Sequence, residues 1–282
     1  MTIKGIAMNK IAKKRRLAPN VVEYVIESPL VAKKAKPGMF IILRVDEDGE
    51  RVPFTICDYD ANAGTVTILV QEVGYTTLLL GNKNEGDYIC DFVGPLGNPT
   101  DLSEYKNICL VGGGIGTAVI YPQAKHLNLI GNSADVIVGA RNKDLIMYEE
   151  EFKNTAKNLY ITTDDGSYVR QGFVTDVLKE QLEKGAYDCV MAVGPMPMMR
   201  AVANLTKQYG VKTVVSMNPV MVDGTGMCGG CRINVGGKVK YACVDGPEFD
   251  AHEIDWQEAM NRLGAYKAKE REQTCKLTGD NK

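Results

Sequence analysis

The pattern of apolar runs changes near residue 105, and this change constrains the fold more than any other feature of the chain. Before it, short β-rich runs such as VVEYVIES, MFIILRV and TVTILVQEV alternate with turn residues. Short strands at such regular spacing are typical of an antiparallel barrel. After it, apolar runs such as NICLVGG and DVIVGA alternate with helical stretches, which indicates a parallel sheet.

We therefore predict three parts in this chain of 282 residues, a length that suffices for more than one domain. An antiparallel β-barrel is predicted over residues 1–100, and a parallel-sheet α/β domain over residues 101–218. From residue 219 the chain is rich in glycine and cysteine up to Gly246, and a charged end with a helical pattern follows. Residues 219–282 are predicted to form a C-terminal module.

Composition argues against several classes of function. Hydrophobic residues make up 45% of the chain, charged residues 24%, and the net charge is -2. This balance is ordinary for a globular protein and offers no long basic surface for nucleic acid. No apolar stretch reaches the length of a secretory signal or a membrane span. We expect a cytoplasmic protein with no nucleic-acid or membrane partner, whose eight cysteines are reduced thiols or metal ligands.

A cluster of potential metal ligands lies in the C-terminal module. Asp223, Cys228, Cys231 and Cys243 follow the spacing D-x4-C-x2-C-x11-C, close to the C-x4-C-x2-C…C spacing of plant-type iron-sulfur proteins. Three thiolates can hold two irons, and the intervening glycines let backbone amides point at the sulfurs. The spacing predicts a [2Fe-2S] cluster with Asp223 in the place of the first cysteine. A zinc site or unligated thiols would also fit this spacing.

A glycine-rich loop follows the first strand of the predicted parallel sheet. Residues 110–118 read LVGGGIGTA, a strand that enters a helix, where exposed amides and the helix dipole can hold a pyrophosphate. Thr117 stands where the third glycine of the dinucleotide fingerprint would fall, so the match is partial and a structural glycine turn remains an alternative. The candidate residues are Gly112, Gly113, Gly114, Ile115, Gly116, Thr117 and Ala118.

A second loop, GPMPMM at residues 194–199, ends a later strand of the same sheet. Ligands of open α/β sheets bind outside the carboxyl ends of the strands, although a turn alone would also explain this loop. Its candidate residues are Gly194, Pro195, Met198 and Met199. Where a Rossmann fold has an acidic residue for the ribose hydroxyl, this chain has Arg141 and Lys143, which would accommodate a 2′-phosphate.

Two short motifs lie within the predicted barrel. Arg51-Val52-Pro53-Phe54-Thr55 forms one, and Val73-Gly74-Tyr75-Thr76-Thr77 forms the other. In this order before the glycine loop, they resemble the ferredoxin-NADP reductase superfamily, in which an R-x-[YP]-[FS]-[ST]-like strand binds flavin. The resemblance implies an antiparallel flavin-binding barrel, a parallel-sheet nucleotide domain and a C-terminal [2Fe-2S] module.

Within that superfamily, residues 216–256 narrow the resemblance. With Asp223 in place of a cysteine, they are similar to the small subunits of electron-bifurcating NADH-dependent reduced ferredoxin:NADP oxidoreductases. The alternative is the electron-transfer subunit of dihydroorotate dehydrogenase, which normally has four cysteines. An alternative of another class is a flavin- and metal-binding redox sensor without turnover.

The resemblance implies FAD, a [2Fe-2S] cluster and NAD(H) as cofactors. Arg51 would pair with a flavin phosphate, and Thr55 would lie near flavin N5 as the catalytic contact. Pro53 and Phe54 would lie with Thr55 along the isoalloxazine. Gly74, Thr76 and Thr77 would bind the flavin diphosphate. NAD(H), rather than NADP(H), would occupy the glycine loop and the 194–199 loop.

The resemblance also implies a larger partner. Nicotinamides exchange hydride whereas iron-sulfur clusters pass single electrons, so the flavin would connect the two. The implied partner is a larger subunit that holds a second FAD and [4Fe-4S] clusters in a heterodimer. There, electrons from NADPH would be divided between ferredoxin, an indirect partner, and this chain.

Overall fold

The first part of the chain forms two antiparallel sheets around one core. In the computed structural model, which describes residues 9–185 and 187–278, the strands are β1 (Asn9–Ala18), β2 (Val21–Glu27), β3 (Phe40–Arg44), β4 (Val52–Thr55), β5 (Asp58–Asp60), β6 (Thr65–Gln71), β7 (Tyr88–Ile89) and β8 (Asp91–Leu96). The helices α1 (Pro29–Ala32) and α2 (Tyr75–Gly81) interrupt them. The sheet orders are β5-β6-β2-β1-β7 and β4-β3-β8. Ile11, Ile41 and Ile68 lie fully buried between the sheets.

The strand β1 is one that the apolar pattern did not reveal. Its sequence, NKIAKKRRLA, carries five basic residues, and its apolar positions are too few to show a period of two. It pairs antiparallel with β2, where Arg15 Nε lies 3.0 Å from Glu23 Oε1. Arg16 Nη1 lies 2.8 Å from Glu72 Oε2. The basic face of β1 is therefore matched by carboxylates that are distant in sequence.

The second part is a parallel sheet with helices, as predicted. Its elements are β9 (Ile108–Gly113), α3 (Gly116–Leu129), β10 (Asp135–Ala140), a 3₁₀ turn (Lys143–Leu145), α4 (Glu149–Thr155), β11 (Leu159–Thr163), α5 (Val174–Leu182), β12 (Cys189–Val193), α6 (Met196–Gln208) and β13 (Lys212–Ser216). The strand order is β11-β10-β9-β12-β13. The order reverses beside β9, which makes the space between the ends of β9 and β12 a topological switch point.

The C-terminal residues complete the nucleotide sheet and add a hairpin. Their elements are β14 (Arg232–Val235), β15 (Lys238–Tyr241), α7 (Ala242–Asp245), β16 (Glu248–Asp250), α8 (Trp256–Gly264) and α9 (Lys267–Thr278). β16 pairs antiparallel with β13 as the sixth strand of the sheet. Gly236 and Gly237 form the two-residue turn between β14 and β15, both with positive φ.

One hydrophobic core joins the three parts. Phe40 and Ile42 of the barrel, Val215 of the nucleotide sheet, and Cys231 and Ile233 near the hairpin belong to the same buried cluster. Because this core is continuous, the C-terminal module packs against both of the other parts. The predicted barrel and α/β architecture is confirmed, whereas the boundaries near residues 100 and 218 stay predictions.

Candidate functional site

The structure brings the two predicted nicotinamide loops together at the switch point. β9 and β12 are neighbouring parallel strands, so the residues after them emerge at the same edge. A Cβ on Gly113 would lie 2.2 Å from Sδ of Met198, and a Cβ on Gly116 would lie 2.2 Å from the carbonyl oxygen of Val193. Only glycine permits such close approach, so the two loops pack directly against each other at the carboxyl edge of the sheet, where ligands of such sheets bind.

The partial fingerprint has a steric explanation. Thr117 is 1% exposed, and a Cβ on Gly112 would lie 2.8 Å from its Cα. The close packing of helix and strand is thus provided by Gly112, so Thr117 need not be glycine. Gly114 has φ +55°, and its amide donates to the carbonyl oxygen of Gly139 at 2.9 Å. This bond fixes the loop where α3 begins, with the helix N-terminus at the crevice.

The basic residues that suggested a 2′-phosphate have acidic neighbours. Arg141 and Lys143 follow β10 at the ligand-binding edge and are exposed. The amide of Asp165 donates to the carbonyl oxygen of Arg141 at 3.2 Å, and that of Asp164 donates to Ala140. These backbone bonds place two acidic residues in the adjoining loop, and the argument for a 2′-phosphate rests on the exposed Arg141 and Lys143 alone.

The predicted flavin strand β4 is half-exposed along its length. Pro53, Phe54 and Thr55 all keep part of their surface in solvent, in contrast to the buried neighbouring strand β3. Arg51, just before β4, places Nη2 3.2 Å from Oδ2 of Asp91. An apolar strand that is not covered by protein fits a planar ring, and the exposed guanidinium fits a phosphate.

The helix α2 brings the second flavin motif to the first. Thr77 Oγ1 accepts the amides of Val73 and Gly74, each at 3.0 Å, and so fixes the turn before the helix. Thr76 Oγ1 donates to Oε2 of Glu50 at 3.4 Å. Because Glu50 directly precedes Arg51, this bond links the two motifs. No sequence pattern marks Glu50, and its position is visible only in the fold.

Three of the predicted cluster ligands lie on the loop of residues 223–231, called the cluster loop, and the fourth, Cys243, lies on α7. The structure brings two of the four together. Sγ of Cys231 donates to Sγ of Cys243 at 3.2 Å, and both thiols are buried. Burial, together with the Cys231 thiol, raises the pKa of Cys243 to about 12. Cys228 is exposed, and its Sγ accepts the amide of Gly230 at 3.4 Å.

Asp223 is held within the same loop by backbone amides. Oδ1 accepts from Thr225 at 2.9 Å, and Oδ2 accepts from Cys228 at 2.8 Å. The amide of Thr225, which has the larger effect, and the amide of Cys228 hold the pKa of the Asp223 carboxyl below its usual range. The carboxylate is therefore anionic at neutral pH, which is the form that binds a metal.

Three thiols and one carboxylate are the kinds of side chain that bind an iron-sulfur cluster. In the structure, however, the four side chains do not surround one point. Within the described ranges, no group of three or more His, Cys, Asp or Glu side chains is arranged to hold a metal ion. Gly224, Gly226 and Gly229 have positive φ, which lets the loop wrap closely and present its amides to sulfur. The roles of Asp223 and Cys228 as ligands therefore stay predictions.

Three further thiols are buried in apolar surroundings, Cys57 between β4 and β5, Cys109 in β9 and Cys189 in β12, which indicates a structural role. Cys57, Cys109 and Cys189 are 2%, 0% and 0% exposed. Burial raises the pKa of Cys57 and of Cys189 to about 12. They remain neutral thiols inside the core and are unsuited to bind a metal.

Comparison with known proteins identifies the family. Residues 218–255 match the model of the iron-sulfur cluster binding domain of dihydroorotate dehydrogenase B. The chain is 45% identical over 267 residues to the dihydroorotate dehydrogenase B (NAD(+)) electron transfer subunit homolog of Thermotoga maritima, covering 95% of this chain and 94% of the relative. The chain therefore belongs to the ferredoxin-NADP reductase-like family of electron-transfer subunits that includes these proteins.

Two further relatives extend over nearly the whole chain. A chain in a structure of NADH-dependent reduced ferredoxin-NADP oxidoreductase, studied for flavin-based electron bifurcation, is 44% identical with a TM-score of 0.92; the match covers 98% of this chain and 100% of that one. An uncharacterized protein from the adh 3′ region of Clostridium beijerinckii is 52% identical over 272 residues, covering 93% and 92% of the two chains. The resemblance expected from the sequence is confirmed.

These comparisons also bear on cofactors and class. FAD, a [2Fe-2S] cluster and NAD(H), the cofactors predicted from the sequence, are confirmed at the level of the family. The chain is an oxidoreductase electron-transfer subunit, and its relatives support a larger partner subunit. Across residues 9–185 and 187–278, no helix combines the length and the hydropathy needed to cross a membrane.

Proposed function

We propose that this chain is the NAD-side branch of an electron-bifurcating complex. It exchanges hydride with NAD(H) and single electrons with a larger partner subunit that couples NADPH, NAD and ferredoxin. The observation that carries the proposal is the likeness to the NADH-dependent reduced ferredoxin-NADP oxidoreductase chain, with 44% identity and a TM-score of 0.92 over nearly the full length of both chains.

The proposed roles of the nicotinamide residues follow from the crevice. Amides of the loop Gly112–Ala118 bind the pyrophosphate at the start of α3, and the loop Gly194–Met199 positions the nicotinamide against the barrel. Gly113 and Gly194 keep the crevice narrow because Met198 packs against both of them. In this arrangement the nucleotide domain, residues 101–218, orients NAD(H) toward the barrel, residues 1–100.

The proposed flavin residues bind and orient the cofactor, which supplies conversion between hydride and single-electron transfer. When FAD binds, the Arg51 guanidinium gives up part of its contact with Asp91 and contacts a flavin phosphate instead. Thr55 contributes a small hydroxyl near N5 that leaves the ring face accessible to hydride. Gly74 offers open space for a diphosphate, since a Cβ there would meet no atom within 4 Å among the described residues.

The cluster loop is the proposed contact with the partner, within the module of residues 219–282. Cys228 and its neighbour Met227 are exposed, Met227 to 88%, and Val222 and Val244 are exposed apolar residues of the same region. Exposed apolar side chains beside a redox site are suited to a protein interface. Docking there would bring Asp223, Cys228, Cys231 and Cys243, the proposed ligands, close to the partner's redox centre.

A second candidate is the electron-transfer subunit of dihydroorotate dehydrogenase. It is favoured by the match of residues 218–255 to the cluster-binding domain of that enzyme. Asp223 speaks against it, because it stands where those subunits normally have a cysteine. The two candidates share the same NAD(H), flavin and cluster path, and they differ in the partner that exchanges electrons with it.

Anaerobic purification of the tagged chain with its partner, followed by activity assays, separates the candidates. We expect the complex to oxidise NADPH only when ferredoxin and NAD⁺ are both present as acceptors. Reduction of NAD⁺ by dihydroorotate would instead establish the second candidate. A complex that lacks flavin and iron, or a chain that NADH fails to reduce, would contradict both.

A further inference from the structure

A strained residue marks the junction between the barrel and the nucleotide domain. Tyr148, just before α4, has φ +59°, in the left-handed region that bulky side chains rarely adopt. Such a conformation is unfavourable, persists only where the surrounding structure holds it, and is found most often at sites with a function. The contacts of Tyr148 show what holds it.

The Tyr148 side chain extends across the junction. It is 7% exposed, and its hydroxyl donates to Oε2 of Glu23 on β2 at 2.9 Å. Its ring lies beside that of Tyr121 on α3, with 5.0 Å between the ring centroids. Arg15 donates to both oxygens of Glu23, at 3.0 Å and 3.1 Å, and so fixes the acceptor. The start of α4 is thus held to the barrel sheet.

A second bond crosses the junction, between α3 and the segment that follows the flavin strand β4. Nζ of Lys125 donates to Oδ1 and Oδ2 of Asp58 at 2.7 Å and 2.9 Å. Asp58 begins β5, three residues after Thr55, the proposed contact of flavin N5. Because α3 begins at the proposed pyrophosphate loop, this helix links the two proposed cofactor sites.

Apolar side chains pack between the two parts at this junction. Tyr148 and Leu110 of the nucleotide domain share one buried cluster with Val21 and Cys57 of the barrel. Sγ of Cys57 donates to the carbonyl oxygen of Thr55 at 3.5 Å. The packing around Tyr148 is therefore continuous with the packing beside Thr55.

We propose that Tyr148 is a positioning residue for hydride transfer: through its bond to Glu23 it holds the nucleotide domain at the orientation in which the glycine loop of α3 faces the flavin strand. A reaction of this kind is sensitive to a misplacement of about 1 Å, whereas NAD(H) binding depends on contacts within the nucleotide domain. The inference rests on the proposed function, and it adds a residue that lies outside both proposed cofactor motifs.

The first test is Tyr148→Phe, which removes only the hydroxyl that crosses the junction. We expect the rate constant of flavin reduction by NADH to fall about tenfold or more, and the dissociation constant of NADH to change less than about twofold. The long-wavelength absorbance that arises when nicotinamide and flavin stack should weaken as well. Anaerobic stopped-flow absorbance of the full holo chain measures all three.

Tyr187→Phe is the matched control. Tyr187 is 9% exposed, and its hydroxyl donates to Oδ2 of Asp135 at 2.9 Å, inside the nucleotide domain. Each carboxylate keeps another partner when the hydroxyl is lost, Arg15 for Glu23 and Asn158 for Asp135. Thermal unfolding should therefore show similar small losses of stability in both variants, while Tyr187→Phe keeps the wild-type rate constant.

Glu23→Ala tests the bond from its other end. The variant removes the acceptor and should slow flavin reduction as Tyr148→Phe does. Adding Tyr148→Phe to Glu23→Ala should slow the reaction little further, because the hydroxyl has already lost its partner. Losses that multiply in the double variant would show that the two residues act separately, which would contradict the proposal.

The outcomes separate this inference from the proposed function. A wild-type chain whose flavin NADH does not reduce would overturn the proposed function and the inference with it. Where the wild-type chain is reduced, an unchanged rate constant in Tyr148→Phe, or an equal fall in Tyr148→Phe and Tyr187→Phe, would overturn the inference alone.

Discussion

The Asp223 carboxylate has two roles in this account: it shapes the cluster loop, and it is a proposed ligand of the cluster. Its oxygens accept the amides of Thr225 and Cys228 and so shape the loop. Its position in the ligand spacing makes it the proposed oxygen ligand of the cluster. The loop-shaping role needs only an acceptor, whereas the ligand role needs a negative charge, and substitutions can distinguish the two.

Replacing Asp223 with Cys should keep the cluster and lower its reduction potential, because a thiolate donates more electron density to iron than a carboxylate does. Asp223→Asn removes the charge and keeps an oxygen acceptor for only one of the two loop amides, so it should reduce cluster occupancy. Redox titration followed by EPR measures the potential, and iron analysis measures the occupancy. An unchanged potential in the Cys variant would show that Asp223 does not tune the cluster.

Arg51 and Arg44 provide a matched pair, since both contact Oδ2 of Asp91, at 3.2 Å and 2.7 Å. Only Arg51 lies in the flavin motif. Arg51→Gln should weaken FAD binding about tenfold or more, the loss expected for a charged phosphate contact. Arg44→Gln should leave FAD affinity near that of the wild type and cost at most about 1 kcal/mol of stability. Fluorescence titration of the apoprotein with FAD compares them; equal losses would argue against a specific role for Arg51.

Glu248 predicts a pH-dependent stability. Burial raises its pKa from 4.5 to about 8, so between these values the folded chain holds a proton that the unfolded chain has released. The free energy of unfolding therefore falls as pH rises through this window. Glu248→Gln should be more stable than the wild type at pH 8, by up to about 4 kcal/mol, the free energy that corresponds to this shift of the pKa, and the difference should fall below about 1 kcal/mol at about pH 5. Denaturant unfolding at both pH values measures it; a difference independent of pH would contradict the burial argument.

At the scale of elements, the contact between the start of α3 and the end of β12 depends on Gly116. A Cβ there would lie 2.2 Å from the carbonyl oxygen of Val193, and backbone cannot move aside as a side chain can. Gly116→Ala should cost about 1–3 kcal/mol of stability and weaken NADH binding about tenfold or more. Gly264→Ala in α8 is the control, because its Cβ would meet no described atom within 4 Å and alanine favours helix. Equal effects of the two variants on NADH affinity would refute the predicted role of Gly116.

A strand could be predicted from the sequence when the residues that determine it are neighbours in the chain. β9, β10 and β12 are buried on both faces, so each appears as a continuous apolar run that sequence alone reveals. β1 is different because the partners of its basic residues, Glu23 and Glu72, are known only after folding. The pairing of β16 with β13 is equally long-range.

The residues of the candidate site also divide into those with a local sequence signal and those without one. Glycines with a local reason, such as Gly112 and Gly114, were identifiable from the strand-loop-helix context. The hairpin β14–β15 had a local signal too, the Gly236-Gly237 turn, which two-residue hairpin loops favour. The bond from Thr76 to Glu50 and the burial of the Glu248 carboxyl have no such signal, because they arise from parts that are far apart in sequence.

At the scale of the whole molecule, one core is shared by the parts that carry the proposed redox sites. The barrel residues Phe40 and Ile42 lie in one buried cluster with Cys231 of the cluster loop and Cys243 of α7. The proposed flavin strand and the proposed cluster ligands are therefore packed on one core. The proposed nicotinamide loops lie at the carboxyl edge of the sheet that shares the same core, so one packed unit carries all three proposed sites.

The most direct test of an NAD(H)-to-cluster path in this chain is anaerobic titration of the isolated holo chain with NADH. Absorbance reports flavin reduction, and EPR reports the reduced cluster. We predict that NADH bleaches the flavin and then produces the signal of a reduced [2Fe-2S] cluster, while NADPH reacts much more slowly. A flavin that NADH does not bleach, or a bleached flavin beside an intact cluster that never becomes reduced, would contradict the path.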